Sequence, residues 1–557
     1  MRLRRAFGGN VSATDAAMTS TANPRAPLGY RALPAAYFLA ATALAAALAH
    51  FTWMSPQPLA AYRLGAILIG LLLGVANLRA GVLLIVFAAP LAGLISRLLG
   101  AYNLSLSEHA LIPLLLCGSF VVGRGNQARA GAAIGRRLAL FTALAVISSA
   151  LGLWEYRALH RPLWETVIAE ADRHFSFDIG DVLRGSFTLL HGVAVIVEGA
   201  LWFVLLTSPA LRLRASHLRG ALTLSVGAAA LTGVAQTIWL FDLPSFFRLV
   251  QPDLLRINGA LPDPNTFGCF LILVGPIAVA STWMSAAGRP AGLGLLTLLS
   301  YCLVQTVSRS AWVGLGGAFG IALMLAGWRS QSLALEIPAS AARLIRRLFW
   351  TGAAGVLLAF LLVSVGALRG GPSRVSASSP LDMLLFSFDL RRPANDLVPA
   401  RMDHWLAALR IWCDFPLFGA GTGKYVSLKL HYLPDVKLPT FTDAHSYYLK
   451  TLSELGVAGL GTFLAILGCI ATQARVAWLR AGRSQRPRIA AIALGVLAFA
   501  LSSLAQDPLG LGAMQCAFWT VVALLVLEDR ENTPGLGDAA DKDSERTAAS
   551  DSRAATT

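Results

Sequence analysis

The sequence repeats one feature from end to end: apolar runs close to twenty residues long, separated by polar stretches. They lie near 33–54, 60–78, 80–98, 108–123, 137–154, 186–207, 220–238, 265–285, 290–307, 311–327, 348–368, 449–471, 488–504 and 509–527. A helix of about 20 apolar residues crosses the ~30 Å hydrocarbon layer of a bilayer. Within that layer each backbone N–H and C=O must be bonded inside the structure, and a helix does this alone. The expected fold class is therefore all-α: a polytopic helical membrane protein with about 14 transmembrane helices. Composition agrees, with 56% hydrophobic and 14% charged residues in 557 and a mean hydropathy of +0.62.

The formal charge is +16. In a water-soluble chain that would point to nucleic acid. Here the basic residues sit in the connections between apolar runs. They occur before the first run (Arg2 to Arg31), after the second (Arg79), and between the fourth and fifth (Arg124 to Arg137). Others lie between the sixth and seventh (Arg212, Arg214, Arg219), around Arg289 and Arg329 to Arg347, and from Arg475 to Arg488. If every run spans, all these groups fall on one side. The positive-inside bias makes that side the cytoplasm, with both termini there and anionic membrane lipids as partners rather than nucleic acid. The opposite side receives 155–185, 239–264, the tight Ser308-Arg309-Ser310 corner, Gln506-Asp507-Pro508 and the longest loop, 369–448. Five of the six cysteines fall inside apolar runs and only Cys413 lies in a large loop, so no disulfide pair or zinc spacing is expected. No cleavable signal peptide is expected. Residues 528–557 read as a disordered tail, where Asp541-Lys542-Asp543 is poorly placed to hold a catalytic metal.

Few polar residues stand where chemistry is plausible. Arg309 lies between two apolar runs with almost no loop, where a charge costs a few kcal/mol and calls for a partner. An outward arginine there is placed to hold a phosphate; the competing reading is an arginine snorkelling to the interface beside Trp312. Arg401 opens Arg401-Met-Asp-His-Trp-Leu-Ala-Ala-Leu-Arg-Ile-Trp, an amphipathic helix too short to span. Arg401, Trp405, Ala408 and Trp412 are expected to share a face, with a local pair to Asp403 as the structural alternative. His445 closes the long loop in Asp443-Ala-His-Ser-Tyr-Tyr. A neutral imidazole there can accept a proton from a hydroxyl near neutral pH. Asp443 could orient it, and Tyr447 and Tyr448 could offer ring faces to a sugar. Glu454, nine residues on, falls on the far side of the helix. Arg256, in Arg256-Ile-Asn-Gly-Ala-Leu-Pro-Asp-Pro-Asn, is a further phosphate contact, with Asn265 capping the next helix. Gly419, Gly421 and Gly423 resemble a phosphate loop, but no strand precedes them and a turn explains them better. Glu198, midway along the sixth run, is either functional or paired within the bundle.

Ser308-Arg-Ser-Ala-Trp, the Arg401 helix ending in Pro-Leu-Phe-Gly-Ala-Gly, Arg256-x-x-Gly leading to Pro-Asn, and His445 followed by Gly456 together resemble the O-antigen ligase and polymerase superfamily. The resemblance covers roughly residues 250–470. It implies that Arg309 and Arg401 hold the diphosphate of an undecaprenyl-linked glycan, with Arg256 as the further contact, and that His445 is the general base toward the acceptor hydroxyl. The sequence Arg401-Met-Asp-His-Trp405 differs from the Arg-x-x-x-Leu common in ligases, which bears on subtype.

On this reading the chain divides into a cytoplasmic tail (1–32), N-terminal transmembrane helices (33–248), and a ligase-like catalytic region (249–471) with periplasmic loop 369–448. C-terminal helices (472–527) and the tail (528–557) follow. The implied reaction is metal- and cofactor-independent transfer of a glycan from undecaprenyl diphosphate to a sugar hydroxyl of lipid A–core, at the periplasmic face of a bacterial inner membrane. An O-antigen or exopolysaccharide polymerase and a protein O-glycosyltransferase share that chemistry. A flippase for lipid-linked glycans is the alternative of another class; it would line a path across the bilayer with charge.

Overall fold

A computed structural model describes residues 28–53, 59–91, 94–95, 106–122, 131–157, 189–238, 256–285, 288–328, 401–433 and 443–533. The expected span 348–368, most of the loops 155–185 and 239–264, residues 369–400 and the tail from 534 lie outside them. Among the described residues there is no strand. The helices are α1 (Leu28–Trp53), α2 (Leu59–Ala88), α3 (Leu106–Val122), α4 (Ala132–Arg157), α5 (Leu189–Thr207), α6 (Ala215–Ile238) and α7 (Pro264–Trp283). There follow α8 (Gly288–Gln305), α9 (Arg309–Trp328), α10 (Arg401–Asp414), α11 (Lys424–Tyr432), α12 (Tyr447–Arg480), α13 (Arg486–Ser502) and α14 (Gly512–Glu531). Six helices among the described residues are long and apolar enough to cross a membrane: Ala61–Leu91, Ala132–Leu151, Ala215–Thr237, Pro264–Trp283, Tyr447–Arg480 and Gly512–Glu531. Shorter apolar helices lie at Pro34–His50, His109–Val122, His191–Thr207 and Arg309–Leu325.

Two of the long helices are bent back on themselves. In α2, Asn77 leaves helical geometry and its side-chain oxygen accepts the Ala80 N–H at 3.1 Å, restarting the helix as a cap does. Gly81 then lies against Leu73. A straight helix would hold those residues about 12 Å apart, so the chain folds back at Asn77, where the expected runs 60–78 and 80–98 meet. In α12 the break is at Gly456 (φ 64°, ψ −166°). The Tyr447 and Phe463 rings are 4.8 Å apart, where an unbroken helix would separate them by about 24 Å. The expected span 449–471 is thus a short arm, 447–455, followed by a long helix running to Arg480.

The helix ends sort into two sets. At one end Arg219 pairs with Glu528, Arg480 binds Asp529 at 3.1 Å, the Ala215 N–H donates to Glu531 at 2.7 Å, and Arg79 donates to the Leu211 carbonyl at 2.6 Å. Glu528 and Asp529, expected to begin the tail, are instead buried in the last turns of α14. At the other end Gln236 of α6 meets Asn258 at 2.7 Å, Ile257 bonds to Gln305, and Tyr447 donates to the Ser503 and Gln506 carbonyls at 3.0 Å each. Almost all of α14 is buried, as befits a helix that is apolar on every side and surrounded by others. On the second end sits a small cap with its own core: Ala407, Ala408 and Ile411 of α10 against Tyr425, Val426, Leu433 and Ala444.

Candidate functional site

Arg309 is presented by a corner whose shape the sequence dictates. α8 ends at Gln305, Val307 takes a left-handed conformation (φ 50°), and Ser308 accepts the Trp312 N–H at 3.1 Å as α9 begins. Buried Arg256 braces this corner. Its Nε donates to the Thr306 carbonyl at 2.7 Å, and one terminal nitrogen donates to Asn265 Oδ1 at 2.8 Å and the Val307 carbonyl at 3.3 Å. Asn265 is therefore Arg256's partner. The cap of α7 is Asp263, which accepts the Asn265 and Thr266 N–H groups at 2.8 and 3.1 Å.

Arg401 is the first residue of α10. The face expected to carry Trp405 and Trp412 is turned by about one residue: the buried positions are His404, Ala407, Ala408 and Ile411. The alanines allow close approach to α11 and α12, which the wide indoles would prevent. No ion pair joins Arg401 to Asp403 among the described residues. After α10 the chain crosses the bend of α12. Gly419 (φ 70°) passes over the Glu454 backbone while Gly456 passes over that of Leu417. The Ala420 and Gly421 N–H groups donate to the Ser453 and Glu454 carbonyls at 2.9 Å, and Val457 and Ala458 donate back to Pro416 and Leu417 at 2.9 and 3.1 Å. The glycine run is thus a backbone clasp, and these amides are spent on protein carbonyls rather than offered to phosphate. Glu454 turns away from His445, and its Oε1 accepts the Tyr425 N–H at 3.3 Å.

His445 stands in the turn before α12 with φ 49°, an uncommon conformation for a residue with a side chain. Its imidazole meets that of His404 edge-on, centroids 5.4 Å apart. His404 Nδ1 lies 3.0 Å from the Tyr425 hydroxyl, which donates to the His404 carbonyl at 2.9 Å. Asp443 Oδ2 contacts Lys450 at 3.0 Å, and the same Nζ contacts Asp507 at 2.8 Å, so one oxygen of the acid expected to orient His445 anchors its loop. Tyr447 and Tyr448 turn into the bundle instead of offering open faces. Both rings pack on Phe463, and the Tyr448 hydroxyl donates to the Ala500 carbonyl at 3.0 Å.

Positive charge accumulates around this turn. Burial lowers Arg256 to about 10, with Arg309 and Arg401 adding repulsion against the opposing pull of Asp263. Arg401 is lowered to about 10 by burial and by Arg309. Both stay charged at neutral pH. Burial, then Arg401, pushes the His445 imidazole down to about 4; Lys429 adds to this and Asp443 opposes it. Burial, then His445 and Lys429, pushes His404 down to about 3. Lys429, fully buried and 5.9 Å from the Tyr425 ring centroid, is lowered to about 8 by burial. Asp507 is pushed up to about 7, mainly by burial, while Lys450 and its other neighbours hold Asp443 down despite burial.

The three arginines named from the sequence and His445 thus lie at one end of the bundle, close enough to perturb one another in sequence: Arg256 and Arg309 against Arg401, and Arg401 against His445. Such a place suits an anion beside a neutral base. Sequence reasoning missed His404, although it is three residues from Arg401 and so on the same helical face. Lys429 and Asp507 carried no local signal. Among the described residues no group of three or more His, Cys, Asp or Glu could hold a metal ion, and all six cysteines are free. No curated protein matches the chain. Residues 294–464 match a family model described as O-antigen ligase, a segment that includes Arg309, Arg401 and His445. Over the segment that holds the α9 corner, the cap and the bent start of α12, the chain is therefore similar to O-antigen ligases.

Proposed function

We propose that this protein is a glycosyltransferase of the O-antigen ligase type, moving a glycan from undecaprenyl diphosphate to a sugar hydroxyl of lipid A–core at the periplasmic face of the bacterial inner membrane. The observation that supports the reading is that Arg401 neighbours both Arg309 and His445 at the end of the helices where Arg256 holds the Arg309 corner. The basic residues Arg212, Arg214, Arg219, Arg480 and Arg488 flank helix ends at the other, as expected of a cytoplasmic end. A flippase would distribute such charges along a path through the bundle.

In the reaction the acceptor oxygen attacks the anomeric carbon, and the bond from that carbon to the diphosphate oxygen breaks. The electron pair leaves with the diphosphate, whose growing charge Arg309 and Arg401 offset. The hydroxyl proton passes to His445, which is neutral at physiological pH and so able to receive it. Arg256 supports this site from behind by holding the Arg309 corner.

The test is transfer by the purified full chain in proteoliposomes, supplied with undecaprenyl-diphosphate glycan and lipid A–core, without nucleotide or added metal. Product on lipid A–core supports the ligase. Product only on a second lipid-linked repeat assigns the polymerase. Movement of donor between leaflets without a new glycosidic bond rejects both.

A further inference from the structure

His404 has no role in the reaction as described, yet its ring lies edge-on to that of His445 at 5.4 Å. It is 1% exposed. The Tyr425 hydroxyl has one proton, and that proton goes to the His404 carbonyl at 2.9 Å. The contact between Tyr425 Oη and His404 Nδ1, at 3.0 Å, then requires Nδ1–H as the donor. The hydrogen-bond network thus assigns a single neutral tautomer, with the lone pair on Nε2. Tyr425 is itself held by the Glu454 carboxylate on its N–H at 3.3 Å and by Lys429 against its ring. A chain of fixed contacts therefore runs from the bend of α12 through Tyr425 and His404 to the edge of the His445 ring at 5.4 Å. The charged groups around the two rings are Arg401 on the same helix, Lys429 on α11 and Asp443 on the turn.

We infer that His404 is a positioning residue for the transfer reaction: Tyr425 locks its tautomer, and its ring sets the orientation of His445 toward the acceptor hydroxyl. This rests on His445 being the base. A fixed second imidazole compensates for the left-handed turn on which His445 sits, since a side chain on a short turn is otherwise poorly constrained.

The experiment compares His404→Gln, Tyr425→Phe and His445→Ala in the full chain in proteoliposomes, with undecaprenyl-diphosphate glycan as donor and lipid A–core as acceptor. The inference expects kcat to fall about tenfold or more in the first two, short of the roughly 10²–10⁴-fold attached to losing a base. Donor KM should stay at the wild-type value. In His404→Gln the acid limb of the kcat profile should also move up by about one pH unit, because water reaches His445. Wild-type kcat in both variants overturns the inference. So does loss of kcat with an unmoved limb, or wild-type kcat in Tyr425→Phe when His404→Gln fails to fold, because His404 is then only packing. If His445→Ala is fully active, the base assignment fails; if it is inactive while Tyr425→Phe is wild type, only the role of His404 fails.

Discussion

Gly419 and Gly456 cross with each glycine lying over the other segment's backbone, so that a Cβ on Gly419 would overlap the Glu454 carbonyl and one on Gly456 would overlap that of Leu417. Both have positive φ. This crossing fixes the cap carrying Arg401 to the arm that follows His445, so the distance between the arginine and the imidazole depends on two missing methyl groups.

Gly419→Ala and Gly456→Ala should each lower the thermal transition and cripple transfer. The positive-φ backbone alone costs about 1–3 kcal/mol for a residue with a side chain, and the overlap adds to it. Gly461→Ala is the control. A Cβ there meets nothing within 4 Å, so that variant should be as stable as wild type or gain up to about 1 kcal/mol from helix propensity. Melts of detergent-solubilised protein read all three.

The pH profile of transfer should place its acid limb unusually low. The His445 imidazole is held near 4 in the free protein, against about 6.5 for an ordinary histidine. A depressed pKa keeps the base unprotonated above that value, so kcat/KM should hold from pH 8 to about 5 and fall as pH drops toward 4. In the proposed reaction a donor diphosphate beside Arg401 would offset the repulsion, so the limb in kcat should lie higher than in kcat/KM. A kcat/KM limb at about 6.5 would contradict the buried setting of His445.

Arg309→Lys and Arg256→Lys should fail in different ways. At Arg309 a lysine keeps the charge but loses the fork proposed to grip two phosphate oxygens; transfer should drop about tenfold with the melt unchanged. At Arg256 the loss falls on bonds to Thr306, Val307 and Asn265. Hydrogen bonds from charged groups contribute about 1.5–3 kcal/mol, so this variant should melt earlier. Equal stability of the two would show that Arg256 does not brace the corner.

Lys450→Met should destabilise the His445 turn severely, because it strips both Asp443 and Asp507 of their shared cation. Breaking a fully buried pair from one side costs about 3–5 kcal/mol, and this partly buried group, with Lys450 15% and Asp443 20% exposed, should lose somewhat less. Lys450→Met combined with Asp507→Asn should recover part of that loss, since fewer buried charges remain. Thermal melts of the single and double variants decide it, and an additive loss would mean that the three groups do not act together.

The sequence by itself determined the apolar, all-helical class and singled out Arg256, Arg309, Arg401 and His445 as candidates, because apolar length and isolated charge are local properties. A run of twenty apolar residues reads the same whatever packs around it. An arginine with no loop to shelter in is conspicuous, as Arg309 is. Only the tertiary structure decided what those residues face. The bend at Gly456 doubles the chain back and turns Tyr447 and Tyr448 onto Phe463. Rotating α10 by one residue exchanges Trp405 for His404 on the buried face. Lys450 binds Asp443 and ties it to Asp507, fifty-seven residues beyond Lys450. Each outcome depends on contacts between segments far apart in the chain, where local periodicity carries no information and close packing selects one partner among several of similar chemistry.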